Sequence, residues 1–205
     1  MIETDVIAPK LYGLLVAGGR SRRMGQDKAA LPAPNGQPLW RRTCNLLAAS
    51  IEKTFLSVRP EQTLPGYNES DGVLIEDTID NAGPLGGILS AFAKHSDAAW
   101  LVVACDLPLL DKETLDYLIQ NRNTEGYGTT YKSAFDSLPE PLCAIYEPSA
   151  ASVLKERLNA QKYCPRRFLV DETEQVRLLT LPNQHALENA NTPEDLKRIE
   201  AIANQ

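Results

Sequence analysis

Apolar residues in this chain fall into short unbroken runs, separated by polar, turn-forming stretches and by segments of helical period. The run 11–17, L-Y-G-L-L-V-A, has the length and content of a buried strand and stops abruptly at Gly18 and Gly19. Asn35 and Gly36 mark a turn, Pro38 can open a helix, and Leu39, Thr43, Leu46, Leu47 and Ile51 follow at helical spacing as one packed face. A second strand is predicted over Thr54–Val58, closed by Arg59 and Pro60, and a polar stretch then runs to Gly72. A short strand at 73–75 leads to a second glycine turn, Gly83, Pro84, Gly86 and Gly87, feeding a helix over about 87–95. The strongest buried-strand pattern, 100–104, runs directly into Cys105-Asp106-Leu107-Pro108. A helix at 112–122, strands near 127–131 and at 140–146, an amphipathic helix at 150–158 and a last strand at 176–181 continue the alternation. Thr192, Pro193 and Asp195 make an approximate capping box for a final helix.

Composition narrows the class without naming a function. A length of 205 residues suits one domain, 1–205, with a real core, and the 43% hydrophobic and 23% charged content is that of an ordinary soluble protein. No apolar run reaches membrane-spanning length, and the start M-I-E-T-D is acidic where a secretory signal would be basic, so no membrane is expected and a cytoplasmic location is the default. Cys44, Cys105, Cys143 and Cys164 are widely spaced, which implies neither a zinc site nor a disulfide framework. The net charge of −6 hides an asymmetry. Residues 1–60 hold nine Lys/Arg against four Asp/Glu, while 61–205 hold twelve against twenty-three. The acidic remainder argues against nucleic acid as a partner, and the early surplus of cations suits a concentrated anion such as a nucleoside triphosphate.

That surplus surrounds the first glycine turn. Gly18, Gly19 and Gly25 allow backbone N–H groups to turn inward as an anion nest, and Arg20, Arg22, Arg23 and Lys28 add donors for phosphate oxygens. Neither G-x-G-x-x-G nor G-x-x-x-x-G-K-[ST] is present, so the familiar phosphate loops do not apply. A solvated basic loop after a core strand is the bland alternative. Asp106 weighs against it, because a carboxylate at the carboxyl end of a buried strand sits where open α/β sheets bind ligands. Leu107-Pro108 ends that strand and the next helix has its own cap candidate, so Asp106 is not needed for capping.

The stretch L-L-V-A-G-G-R-S-R-R-M-G-Q-D-K at 14–28 resembles the start of molybdenum cofactor guanylyltransferases of the MobA type, whose pattern is L-A-G-G-x-S-x-R-M-G-x-D-K. The E-D and G-P-L-G-G segments at 76–87, C-D-L-P at 105–108, P-L-C-A-I-Y at 141–146 and N-A-N-T-P-E-D-L at 189–196 are similar to later family segments. The resemblance implies a three-layer α/β Rossmann-like nucleotidyltransferase fold with a mostly parallel sheet. It implies transfer of GMP from GTP to the phosphate of the molybdopterin (molybdenum) cofactor, with pyrophosphate released. Carried onto this chain, it makes Lys28, Asp106 and Arg22 catalytic, with Asp106 holding Mg²⁺. Nucleotide contacts fall to Val16, Ala17, Gly18, Gly19, Gly25, Lys28, Asp77, Gly83, Gly86 and Asp106, and pterin contacts to Asn189 and Asn191. Partners beyond GTP and molybdopterin would be other cofactor-biosynthesis or delivery proteins.

One departure stands out. The family's second strand usually ends in an asparagine that contacts the base, whereas Ser57 and Arg59 stand nearest here. Guanine selection would then fall to the backbone of 16–18 and to Asp77. Arg166 and Arg167 could neutralise a pterin phosphate or simply open a solvated helix. The runner-up functions are a molybdopterin cytidylyltransferase or another small-molecule NTP transferase. Cytidylyltransferases usually carry A-A-G and a serine-rich segment instead of A-G-G and G-P-L-x-G. A non-catalytic nucleotide-binding module is a third reading, disfavoured because binding alone would not require a metal-ligating Asp106.

Overall fold

The apolar runs become strands because each can bury both of its faces. A computed structural model of the chain describes residues 8–18 and 27–203. In β1 (Leu11–Val16), Leu14 and Val16 join one apolar cluster and Leu15 joins another. β4 (Ala99–Ala104) repeats the division, with Trp100 and Val102 in the first cluster and Leu101 and Val103 in the second. Strands buried on both faces require helices on both sides of the sheet. α1 (Leu39–Ala48) and α3 (Lys112–Gln120) cover one side through Trp40, Leu47, Leu115 and Leu118. α2 (Pro84–Lys94), α4 (Ala150–Asn159) and α5 (Pro165–Asp171) cover the other through Ile88, Phe92, Leu154 and Phe168. The fold is therefore the expected three-layer α/β arrangement.

β2 (Thr54–Val58), β3 (Val73–Glu76), β5 (Gly128–Lys132), β6 (Pro139–Tyr146) and β7 (Val176–Leu179) complete the sheet, in the order β3-β2-β1-β4-β6-β5-β7. Neighbours are parallel except at β6, which runs antiparallel to both β4 and β5. The two successive strands expected near 127–131 and at 140–146 pair antiparallel, because the link 133–138 is far too short for the helical crossover that a parallel pair needs. Register sets Val16 opposite Ser57 and Ala104, and Ser57 opposite Ile75, so four parallel strands end side by side. After β7 the chain returns to α6 (Pro193–Ala203), whose Ile199 packs with Leu31, Ala33, Leu39 and Ala190.

α2 differs from its predicted span, starting at Pro84 rather than near Gly87. Gly83 adopts φ 58° at the N-cap and Pro84 supplies a helical φ at the first position, so Gly86 and Gly87 lie inside the helix, not in the turn. Both are glycine because the helix start presses on the strand ends. A Cβ on Gly86 would stand 2.5 Å from Asp77 Oδ1, and one on Gly87 would run into Ser57 Oγ. Among the described residues, no helix is long and apolar enough to cross a membrane.

Candidate active site

The carboxyl ends of β1, β2, β3 and β4 open into a cavity of about 670 Å³. Val16, Ala17 and Gly18 line it from the end of β1, Ser57 and Arg59 from the end of β2, Asp77, Ile79, Asp80, Asn81 and Gly83 from the loop before α2, and Cys105 and Asp106 from just beyond β4. Backbone ladders continue past the strands, with the Ala17 amide on the Ser57 carbonyl at 3.0 Å and the Asp77 amide on the Val58 carbonyl at 2.8 Å. The edge is thus a continuation of the sheet, and its side chains inherit the sheet's rigidity.

Asp106 is the point where distant segments meet. Its Oδ2 lies 3.1 Å from Lys28 Nζ, and its Oδ1 accepts from Asn189 Nδ2 at 3.2 Å. Lys28 Nζ also donates to Asn191 Oδ1, and the Ala190 amide donates to the Asp106 carbonyl at 2.9 Å. Four expected site residues, Lys28, Asp106, Asn189 and Asn191, therefore form one connected group. The capping box is present: Asp195 Oδ2 accepts from the Thr192 amide at 2.9 Å, and Thr192 Oγ1 accepts from the Asp195 amide at 3.1 Å. Asp195 Oδ2 accepts from the Asn191 amide as well, at 3.0 Å, so a helix cap also fixes the residue that faces Lys28.

Gly19, Arg22 and Gly25, with Arg20 and Arg23, lie outside the described residues. The two stems of their loop are described, and a residue the sequence did not suggest joins them. Gln62 Nε2 donates to the Ala17 carbonyl at 3.0 Å on one stem and to Asp27 Oδ2 at 2.8 Å on the other. Its Oε1 accepts from the Arg59 amide at 3.0 Å, so the whole amide is used. Asp27 caps the short 3-10 helix Lys28–Ala30 by accepting from the Ala29 amide at 3.0 Å, and pairs with Arg59 Nη2 at 3.1 Å. The position of Lys28 is thereby tied to the end of β2. No local pattern in the sequence marks Gln62, because its partners are 45 and 35 residues away.

The opposite wall is acidic. Asp77 and Asp80 line it together with Asn81, which takes φ 59° in a tight turn. Burial pushes the Asp77 carboxyl above its ordinary pKa against the hydrogen bond from the Ile79 amide, and the Asp80 charge adds to the rise. Gly83 lines the cavity, whereas Gly86 packs against Asp77 from within α2. An asparagine does reach the cavity, from the β3–α2 loop as Asn81 and not from the second strand. Arg166 is engaged elsewhere, on Asp136 and Glu140 at 3.0 Å each, and Arg167 pairs with Asp171 at 2.8 Å.

The donors around Asp106 are those a hard cation takes. The Asp106 carboxylate and the Asn191 amide oxygen already share one cation, the Lys28 ammonium. Mg²⁺ is commonly held by one or two carboxylates, with waters and substrate phosphates completing its shell, and this set fits it. Cys105 supplies no nucleophile, since burial, together with the charge of Asp106, raises its thiol pKa far above neutrality.

Comparison with known proteins gives a consistent picture. The MobA-like NTP transferase domain family matches residues 13–176. A molybdenum cofactor biosynthesis bifunctional protein from Synechocystis is 34% identical over 96% of this chain, which spans 56% of that protein's length. A probable molybdenum cofactor guanylyltransferase from Pelotomaculum thermopropionicum is 31% identical, over 93% of this chain and 92% of the relative. Among solved structures, molybdopterin-guanine dinucleotide biosynthesis protein A from Archaeoglobus fulgidus superposes with a TM-score of 0.72, at 24% identity over 94% of this chain and 98% of that one.

Proposed function

Because this chain belongs to the MobA-like NTP transferase family, we propose that it transfers GMP from GTP to the phosphate of the molybdopterin (molybdenum) cofactor, releasing pyrophosphate and forming molybdopterin guanine dinucleotide. The observation that carries this reading is the convergence of Lys28, Asp106, Asn189 and Asn191 at one end of a cavity whose far wall is acidic. Both reactants are anions, so the barrier is charge repulsion plus alignment of the attacking oxygen with the α-phosphorus. Lys28, with Arg22 and the amides of the glycine loop, would hold the β- and γ-phosphates and stabilise departing pyrophosphate. Val16, Ala17 and Gly18, with Gly19 and Gly25, would supply the close backbone approach. Asp106 would hold Mg²⁺, which supplies charge neutralisation between the two phosphates. Asn189, on the Asp106 carboxylate, and Asn191, on the Lys28 ammonium, would position the pterin substrate beside that pair. The attacking phosphate is ionised at neutral pH, so no side chain is required as general base. On this reading residues 1–205 form one catalytic domain.

Guanine would occupy the acidic wall. The Asp77 carboxylate can accept from the guanine N1–H and its exocyclic amine, and adenine offers no donor at N1. Asn81 and the backbone of Val16 to Gly18 complete that side. Incubation with Mg²⁺, molybdopterin and each of the four NTPs, read by mass spectrometry, is expected to yield the guanine dinucleotide. A cytosine product would make the chain a cytidylyltransferase instead. Asp77→Ala in the same assay is expected to erode the preference for GTP over ATP more than it weakens pyrophosphate binding, because a base that leaves this half-buried acceptor unpaired once bound is the one rejected. An unchanged GTP/ATP ratio would move Asp77 off the base.

The Gln62 bridge gives a separate test of the phosphate end. Gln62→Ala removes two donors, each worth about 1 kcal/mol, and should raise KM for GTP by about tenfold or more with a smaller change in kcat. Gln62→Glu is expected to be worse than alanine, since it sets a second carboxylate against Asp27 and the Ala17 carbonyl. Glutamate equal to wild type would show that the bridge does not hold the loop.

A further inference from the structure

A second depression, of about 390 Å³, lies at the junction of α4 and α5, walled by Arg157, Lys162, Tyr163, Cys164, Arg167 and Asp171. Arg157 has a side chain only 10% exposed, with Nη1 on Asp171 Oδ2 at 2.8 Å. Its Nε and Nη2 are buried and have no hydrogen-bond partner among the described residues. A guanidinium with two desolvated, unused donors is costly, and such groups in folded proteins usually have a partner. Asp171 does not supply it: its Oδ2 accepts from Arg157 Nη1, and its Oδ1 faces Arg167 Nε at 2.8 Å. One carboxylate thus serves two guanidinium groups, and Lys162 adds a third cation to the same wall. Arg166, the next residue, does not compete for a ligand there, being held by Asp136 and Glu140.

We propose that this depression is a binding site for a phosphate-type oxyanion, with Arg157 as its floor and Lys162 and Arg167 as flanking donors. A tetrahedral oxyanion offers several acceptors at once, and a turn of the Arg157 guanidinium toward it would give its covered Nε and Nη2 a partner while the anion balances the excess of cations. The site is separate from the catalytic cavity: the two share no lining residue. Its occupancy therefore does not depend on the proposed transfer reaction.

The test is a titration with inorganic phosphate followed by ³¹P NMR, in a Lys28→Ala background that weakens phosphate binding at the catalytic edge. Saturable binding is expected to persist there. Adding Lys162→Ala and Arg167→Ala, both exposed positions whose loss should leave the fold intact, is expected to weaken it by about tenfold or more. Adding Lys94→Ala and Lys155→Ala instead removes the same charge from exposed positions outside the depression, and is expected to change little. Absence of saturable binding in Lys28→Ala would overturn the proposal. Equal weakening by the two added pairs would overturn it too, by reducing the effect to diffuse surface charge.

Discussion

Asp106→Asn is expected to lower kcat by about 10²–10³ while leaving the protein folded, the usual cost of removing a key electrostatic stabiliser from an active site. The fold should survive because Asp106 lies two residues past the end of β4, and its main-chain bond to the Ala190 amide does not involve the side chain. Asparagine keeps the shape and one oxygen for Asn189 but removes the charge. It also turns an amide donor toward Lys28 wherever its oxygen faces Asn189. Two measurements decide the matter: steady-state turnover at saturating Mg²⁺, and the melting temperature. Turnover within a few-fold of wild type would remove Asp106 from the metal. A collapse of the melting temperature would make its role structural.

Lys28→Ala is expected to have the next largest effect, and on binding as well as rate. The lysine does two things in this structure. It faces the cavity from the stem of the glycine loop, and its ammonium joins Asp106 to Asn191. Losing it removes a cation from the β/γ-phosphate end and leaves the Asp106 carboxylate without its bridge to the C-terminal segment. GTP affinity should fall by about tenfold or more, on the scale of a charge-assisted hydrogen bond, while GMP affinity falls less because GMP has no β- or γ-phosphate. Calorimetric titration with both nucleotides separates the cases. Equal losses for GMP and GTP would place Lys28 away from the terminal phosphates. Lys28→Arg is not expected to rescue the rate, because a planar fork does not fit where a compact ammonium sits between two oxygens.

Much of the architecture was already legible in the order of residues. The runs 11–17, Thr54–Val58 and 100–104 read as strands because a doubly covered sheet leaves no polar face to interrupt them. Two of those runs end at the cavity, in Gly18 of the glycine turn after β1 and in Asp106 after β4. The capping box at Thr192 to Asp195 was equally local, since its bonds span three residues. The antiparallel β6 was not foreseen, although the short link 133–138 carried the information. The early start of α2 was missed because Gly86 and Gly87 read as turn residues. Their true reason is the space taken by Asp77 and Ser57, and that appears only when the helix meets the strand ends.

What the sequence by itself determined is therefore the set of strands, most helices and the residue types of the chemistry, because those follow from burial period, turn propensity and motif spacing over a few residues. What only the tertiary structure decided is which of those residues act together. Lys28 meets Asp106 across 78 residues, and Asn189 meets Asp106 across 83. Gln62 closes the loop stems from a segment with no motif, and Arg166 is drawn away to Asp136 and Glu140. Such pairings are set by strand order and register, which place the ends of β1, β2, β3 and β4 on one edge. Hydrogen bonds reach only about 3 Å, so they form where the sheet brings chain segments together, whatever their separation in sequence.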